Sequence, residues 1–209
     1  MTNVLDGVAT VDHAGNLYFV SLRSYSTTLS TIYTATFTNG DAFNATLVTN
    51  VSRMVPGWVD FDVEVSADGN TLYISEGFYS VNPFPDVSNF LIARKGTNGF
   101  SRVPESAAIF TNINTAALAY AACISSDDRE FFFTRLNLAT NPPTVGIYRA
   151  ARASPSDPFE PPQRVTAISG GFFEGPTLSP DGRILYYHRQ DMGAGLFFLE
   201  CVTRFPTSP

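Results

Sequence analysis

One hairpin is written four times along this chain of 209 residues. The run EGPTLSPDGRILYYHRQ near the C-terminus returns as VEVSADGNTLYISEG from Val63 and ACISSDDREFFFTRL from Ala122, and more loosely as ATVDHAGNLYFVSL from Ala9. The turn residues Gly15, Gly69, Asp128 and Gly182 stand 54, 59 and 54 residues apart. A near-constant period of this size marks an array of one supersecondary unit, each copy burying its apolar face against the next.

Within the second copy, Phe61, Val63 and Val65 alternate with Asp62, Glu64 and Ser66, the period of a strand. Ala67–Asn70 is a turn, with Asp and Gly where unusual backbone angles are needed, and Thr71–Ser75 completes a hairpin. A Pro-rich loop then leads to a third strand at Phe90–Lys95 and a weaker fourth through Phe100–Val103. The other copies keep this order, with third strands at Ile32–Phe37, Ile147–Arg152 and Leu196–Cys201 and fourth strands at Asn44–Asn50 and Gln163–Ile168. No stretch has the period and caps of a helix. The expected fold is therefore all-β. It is a β-propeller of four-stranded antiparallel blades, with about four blades in a small, open or incomplete ring. The repeats cover roughly residues 6–52, 59–107, 116–168 and 172–204 of a single domain. Eighteen Phe and nine Tyr suit half-buried strands, and fourteen Pro and fifteen Gly fall mostly between the apolar runs.

SPDGRILYYH, SADGNTLYIS and IYRAARASPSDPF resemble the Ser-Pro-Asp-Gly propeller repeats of TolB-like, WD-repeat-like proteins, over nearly the whole chain. The resemblance implies the propeller fold, usually with six or seven blades, and a periplasmic or extracellular setting. It leaves function open, because such repeats serve binding modules, scaffolds and accessory domains of peptidases. The first repeat departs most, with His13-Ala14 in place of Pro-Asp. The last repeat ends after its third strand. Residues 1–5 could supply the missing strand, the open edges could pair with a second copy, or the chain could be a fragment of a longer protein.

The net charge of −6 and the scattered Lys and Arg argue against nucleic acid as a partner. No apolar run is long enough for a membrane span, and the start MTNVLDGVATVD has no signal-peptide pattern. The chain is thus expected to be cytoplasmic or to lack its original N-terminus. Cys123 and Cys201 are expected as buried free thiols.

Antiparallel order puts the tight hairpin turns at one end of the propeller and the long, aromatic loops at the other. Binding is expected at the long-loop end. Candidate ligand contacts there are Trp58, Asp60, Glu76, Tyr79, Tyr120, Arg135, Glu174, His188 and Arg189, a set suited to a peptide, protein or glycan. The plainer alternative is that the charges pair with one another and the aromatic rings cap the core. Nucleophile elbows, His-Glu-x-x-His pairs and Cys-x-x-Cys pairs are missing, and no cofactor is expected. FFEGPTLSPDGRILYY also resembles the opening blade of gluconolactonase-type propellers. That resemblance implies Glu174 as a metal ligand, with Asp6, Asp60 or Asp62 beside it, and a lactonase or esterase activity as the alternative to binding.

Overall fold

A computed structural model describes residues 6–191 and 193–204. It contains four antiparallel sheets, each with its strands side by side in chain order. The first holds β1 (Asp6–Val11), β2 (Asn16–Ser21), β3 (Ile32–Thr38) and β4 (Asp41–Leu47), with a four-residue helix α1 (Tyr25–Thr28) between β2 and β3. The second holds β5 (Trp58–Val65), β6 (Thr71–Phe78), β7 (Val87–Gly96) and β8 (Gly99–Arg102), followed by the short helix α2 (Ser106–Ile109). The third holds β9 (Leu118–Ile124), β10 (Glu130–Asn137), β11 (Thr144–Ala151) and β12 (Gln163–Arg164). The fourth holds β13 (Phe172–Leu178), β14 (Ile184–Asp191) and β15 (Leu196–Thr203). The expectation of a propeller with about four blades holds. The two helices are single turns, too short to print a helical period on the sequence.

The repeated motif is legible as hydrogen bonding. Ser66, Ser125 and Ser179 each donate a hydroxyl, at 2.6 Å, to the carboxylate of the Asp two residues on. The same oxygens accept the amides of Thr71, Glu130 and Ile184, each at 2.9 Å, and so start the second strand. Asp12 replaces this device in the first blade, its carboxylate accepting the amides of Ala14 and Asn16. Gly15, Gly69, Asp128 and Gly182 all adopt left-handed backbone, which explains the Gly preference and the tolerance of Asp.

Each inner strand carries an irregularity at a matching place. Register slips between Gly7 and Thr10 in β1, Asp60 and Asp62 in β5, Tyr120 and Cys123 in β9, and Glu174 and Thr177 in β13. Val8, Ala121 and Gly175 sit there with φ of 53°, 54° and 65°. Such bulges bend a strand without ending its pairing.

Three cores lie between successive blades. Tyr18, Val20 and Ile32 meet Val63, Leu72, Ile74 and Leu91 between the first and second. Between the second and third, Tyr73, Phe90 and Phe110 enclose Phe131, Phe133 and Phe159. Phe132 points the other way, into a core with Ile147, Phe173, Leu185 and Tyr187. Consecutive Phe131-Phe132-Phe133 is the mark of a strand buried on both faces.

The outward faces of the first and fourth blades remain open among the described residues. Leu199 is 70% exposed and Phe197 54%, both on β15, and Val11 and Phe37 are exposed on the first blade. Strand β15 is the edge of its sheet among the described residues. Residues 1–5, expected to be able to pair with it, lie outside the described residues. Cys123 is buried as expected, but Cys201 is exposed because it lies on β15. The fourth strand of the third blade is only Gln163–Arg164, shorter than the expected Gln163–Ile168, and that of the first is Asp41–Leu47, three residues earlier than expected.

Candidate functional site

The long loops gather at one end. They are residues 22–31, 79–86 and 138–143 between second and third strands, and 48–57, 103–117 and 165–171 between blades. The candidate residues at this end fall into four groups.

In the first, Glu76 is 2% exposed on β6, and Arg53 and Arg102 both bind its carboxylate, the latter at 2.9 Å. Burial pushes the Glu76 carboxyl up, and the two guanidinium groups more than offset this, holding it below its usual range. Arg53 also lies 3.8 Å from the centre of the Trp58 ring. Asp60 is 3% exposed, accepts the Ser52 hydroxyl, and is raised by burial to about 6. These carboxylates serve the protein's own contacts. Trp58 is half-buried, its ring packed on Phe78.

The second group lies along the axis. Asp62 is buried, and burial raises it to about 7 against the pull of the nearby backbone amides of Ala121, Val63 and Ala122. Glu64, two residues on, accepts the Thr10 hydroxyl at 2.6 Å and is also raised by burial to about 7. The Tyr120 hydroxyl donates to Glu174 at 3.2 Å, and burial and that carboxylate raise the phenol. Phe61 bridges this group to Tyr79, with ring centres 6.4 Å from Tyr120 and 6.0 Å from Tyr79. At the tight-turn end the axis opens into a cavity of about 500 Å³ with Glu64 and Cys123 in its wall.

Arg135 forms the third group. Its guanidinium lies 5.0 Å from the centre of the Tyr148 ring and 5.3 Å from that of Phe133, and it donates to the Ile113 carbonyl at 3.0 Å. The fourth is on the last blade. His188 is exposed, with its edge toward Phe197, and Arg189 is paired with Glu200 at 2.7 Å.

Asp6, Asp60 and Glu174 keep separate partners, Arg23, Ser52 and Tyr120. Among the described residues, no three His, Cys, Asp or Glu side chains gather as a metal would require. Sequence reasoning missed Arg53 and Arg102, which reach Glu76 from a loop and from β8. It also missed Glu64, which alternation assigns to a polar face although both faces of β5 are covered.

The structure is similar to that of a protein assigned as TolB from Agrobacterium tumefaciens, with a TM-score of 0.54 and 16% identity over 97% of this chain. The chain spans 59% of that structure's length. It is also similar to an α-L-arabinanase of Cellvibrio cellulosa, solved with arabinohexaose, with a TM-score of 0.55 and 9% identity over 93% of this chain and 72% of the other. At these identities the likeness establishes the propeller fold. No protein-family model matches the sequence, and no curated protein matches it significantly. No helix among the described residues is long and apolar enough to cross a membrane.

Proposed function

We propose that this chain is a non-enzymatic binding propeller that grips a peptide, protein or glycan with its long-loop end. The loop between β6 and β7 carries this reading. It holds Val81 92% and Phe84 48% exposed, beside a cavity of about 420 Å³ shared with Leu136, Asn137 and Leu138. The loop is tied down at its base, where the Ser80 amide and the Asn82 side chain both donate to Asp86 at 3.1 Å. Apolar side chains held out on a braced loop supply contact area without a large ordering cost. Tyr79, Tyr120 and Trp58 are half-buried, with Tyr79 and Tyr120 both packed on Phe61.

Peptide and glycan arrays probed with the purified chain test the reading. Saturable binding is expected, lost in the V81S/F84S double variant while its melting temperature stays within a degree or two. Arrays without binding, or binding untouched by the double change, would sink it. Turnover of a lactone or simple ester that disappears in Glu174→Gln would favour the hydrolase alternative instead.

The β15 edge supports a second element of the proposal. Two copies of an exposed strand related by a two-fold axis pair antiparallel, covering Leu196, Phe197 and Leu199 while satisfying backbone groups that have no strand partner among the described residues. Light scattering is expected to give a dimer that L199K splits. A monodisperse monomer at about 100 µM would remove this element.

A further inference from the structure

Half of the twelve arginines in this chain are paired with an acid among the described residues. Six ion pairs engage Arg23, Arg53, Arg102, Arg149, Arg189 and Arg204. Of the six without an ion pair, Arg135 and Arg164 line one cavity together.

That cavity, about 350 Å³ at the long-loop end of the third blade, is bounded by Arg135, Arg164, Thr115, Asn137, Thr144 and Tyr148, with no Asp or Glu in its wall. Neither arginine has a carboxylate within ion-pair distance among the described residues. Arg135 reaches only the Ile113 carbonyl and Arg164 only the Val145 carbonyl, at 3.0 and 3.3 Å. The Nε of Arg135 is buried with no hydrogen-bond partner among the described residues. Taking a guanidinium out of water without a counter-charge is costly, and an unmade hydrogen bond adds to the cost. In a chain of net charge −6, two unanswered guanidinium groups facing one acid-free cavity go against the general charge balance.

The remaining wall fits the same chemistry. The Asn137 side-chain oxygen already accepts the Ala139 amide, which turns its NH₂ outward as a donor. Thr115 and Thr144 add hydroxyls. Tyr148 gives a flat side, with the Arg135 guanidinium fixed against its ring. Fork-shaped guanidinium donors match planar or tetrahedral oxyanions better than an ammonium would. Burial also pushes the Arg135 guanidinium down from its usual value, opposed by the Tyr148 phenol and by no carboxylate.

We propose that this cavity is an oxyanion site, taking the carboxylate, sulfate or phosphate group of a ligand between Arg135 and Arg164 against Tyr148. The proposal rests on the reading of the long-loop end as the binding end, and names the chemistry one part of that end selects. It needs no particular whole ligand, so small anions test it separately from the arrays.

Calorimetric titration with phosphate, sulfate, glutamate and glucuronate, against chloride at equal ionic strength, reads the site directly. At least one oxyanion is expected to bind saturably with a millimolar dissociation constant. R164Q changes an exposed side chain and should keep the fold, which a thermal melt checks. It should weaken binding about tenfold or more, the loss of one charge-assisted contact. K95Q, at the opposite end, should bind as the parent does. The ranking of glucuronate against glutamate then tells a sugar acid from an acidic side chain. If none of the four anions binds beyond chloride, or if R164Q binds as tightly as the parent, the proposal fails. Array binding with no anion response would overturn this site alone and leave the binding propeller standing.

Discussion

Phe131→Ala is expected to remove about 3–5 kcal/mol of folding stability, a third or more of what a domain this size usually has. The ring is fully buried, and its centre lies 4.9 Å from Phe90, 5.2 Å from Phe159, 5.3 Å from Phe110 and 5.6 Å from Tyr73. Neighbours that are themselves large, flat and fully buried cannot collapse into the space a phenyl ring leaves. The loss therefore combines the missing transfer energy with a persistent cavity. The melting temperature should fall by roughly 10 °C. Phe197→Ala removes the same ring from a side chain that is 54% exposed and should cost about 0.5 kcal/mol or less. Urea titration of both variants checks the contrast. Equal losses would mean that the seam between the second and third blades is not where stability resides.

Stability should also fall as pH rises from about 5 to 8, the reverse of what paired surface carboxylates produce. Burial raises Asp62 and Glu64 to about 7, and Asp60 and Asp128 to about 6. In the unfolded chain these groups give up their protons near pH 4. Between that value and their folded values the native state holds protons the unfolded state has lost. Raising the pH through this window therefore favours unfolding. Glu64, Glu174 and the Tyr120 phenol face the same axial region, so ionising Asp62 also adds repulsion to desolvation. Carboxyls held low, such as Glu76 and Glu130, act in the opposite sense only at more acidic pH. The melting temperature should drop by about 5–10 °C between pH 5.5 and 8.5, from a stability change of a few kcal/mol. Asp62→Asn keeps an oxygen for the amides of Ala121 and Ala122 and cannot ionise. It should raise the melting temperature at pH 8.5 and flatten the profile. A parent profile rising with pH, or a variant with the parent's slope, would contradict this account.

The turns were legible because their chemistry is local. A serine, an aspartate and a left-handed residue within five positions write the hairpin three times, and in the first blade Asp12 stands in and still binds the turn amides. Blade order followed from the same signal. The alternation of Phe61–Ser66 was read correctly as a strand, but alternation implies a dry face and a wet one. A blade covered on both sides has no wet face, so Asp62 ended up buried among backbone amides. Glu76 could not be paired from sequence, because Arg53 and Arg102 lie 23 and 26 residues away on opposite sides of it. The expectation that Cys201 is buried assumed a covered face on the last blade. The third blade's fourth strand begins at Gln163 as expected and ends early at Arg164, where a turn closed by the Ile168 amide on the Val165 carbonyl takes over.

Four blades packed only on their immediate neighbours have three seams, and no extensive seam joins the fourth to the first among the described residues. Such a molecule behaves as a short one-dimensional chain of coupled units. Detaching a terminal blade breaks one seam, whereas opening a middle blade breaks two. Local opening should therefore begin at both termini and spread inward, with the phenylalanine-rich middle closing first and opening last. The cavities that border the second and third blades, including the pair of unanswered arginines, sit on the slowest-breathing part of the array. Geometry there persists even while the outer blades fray.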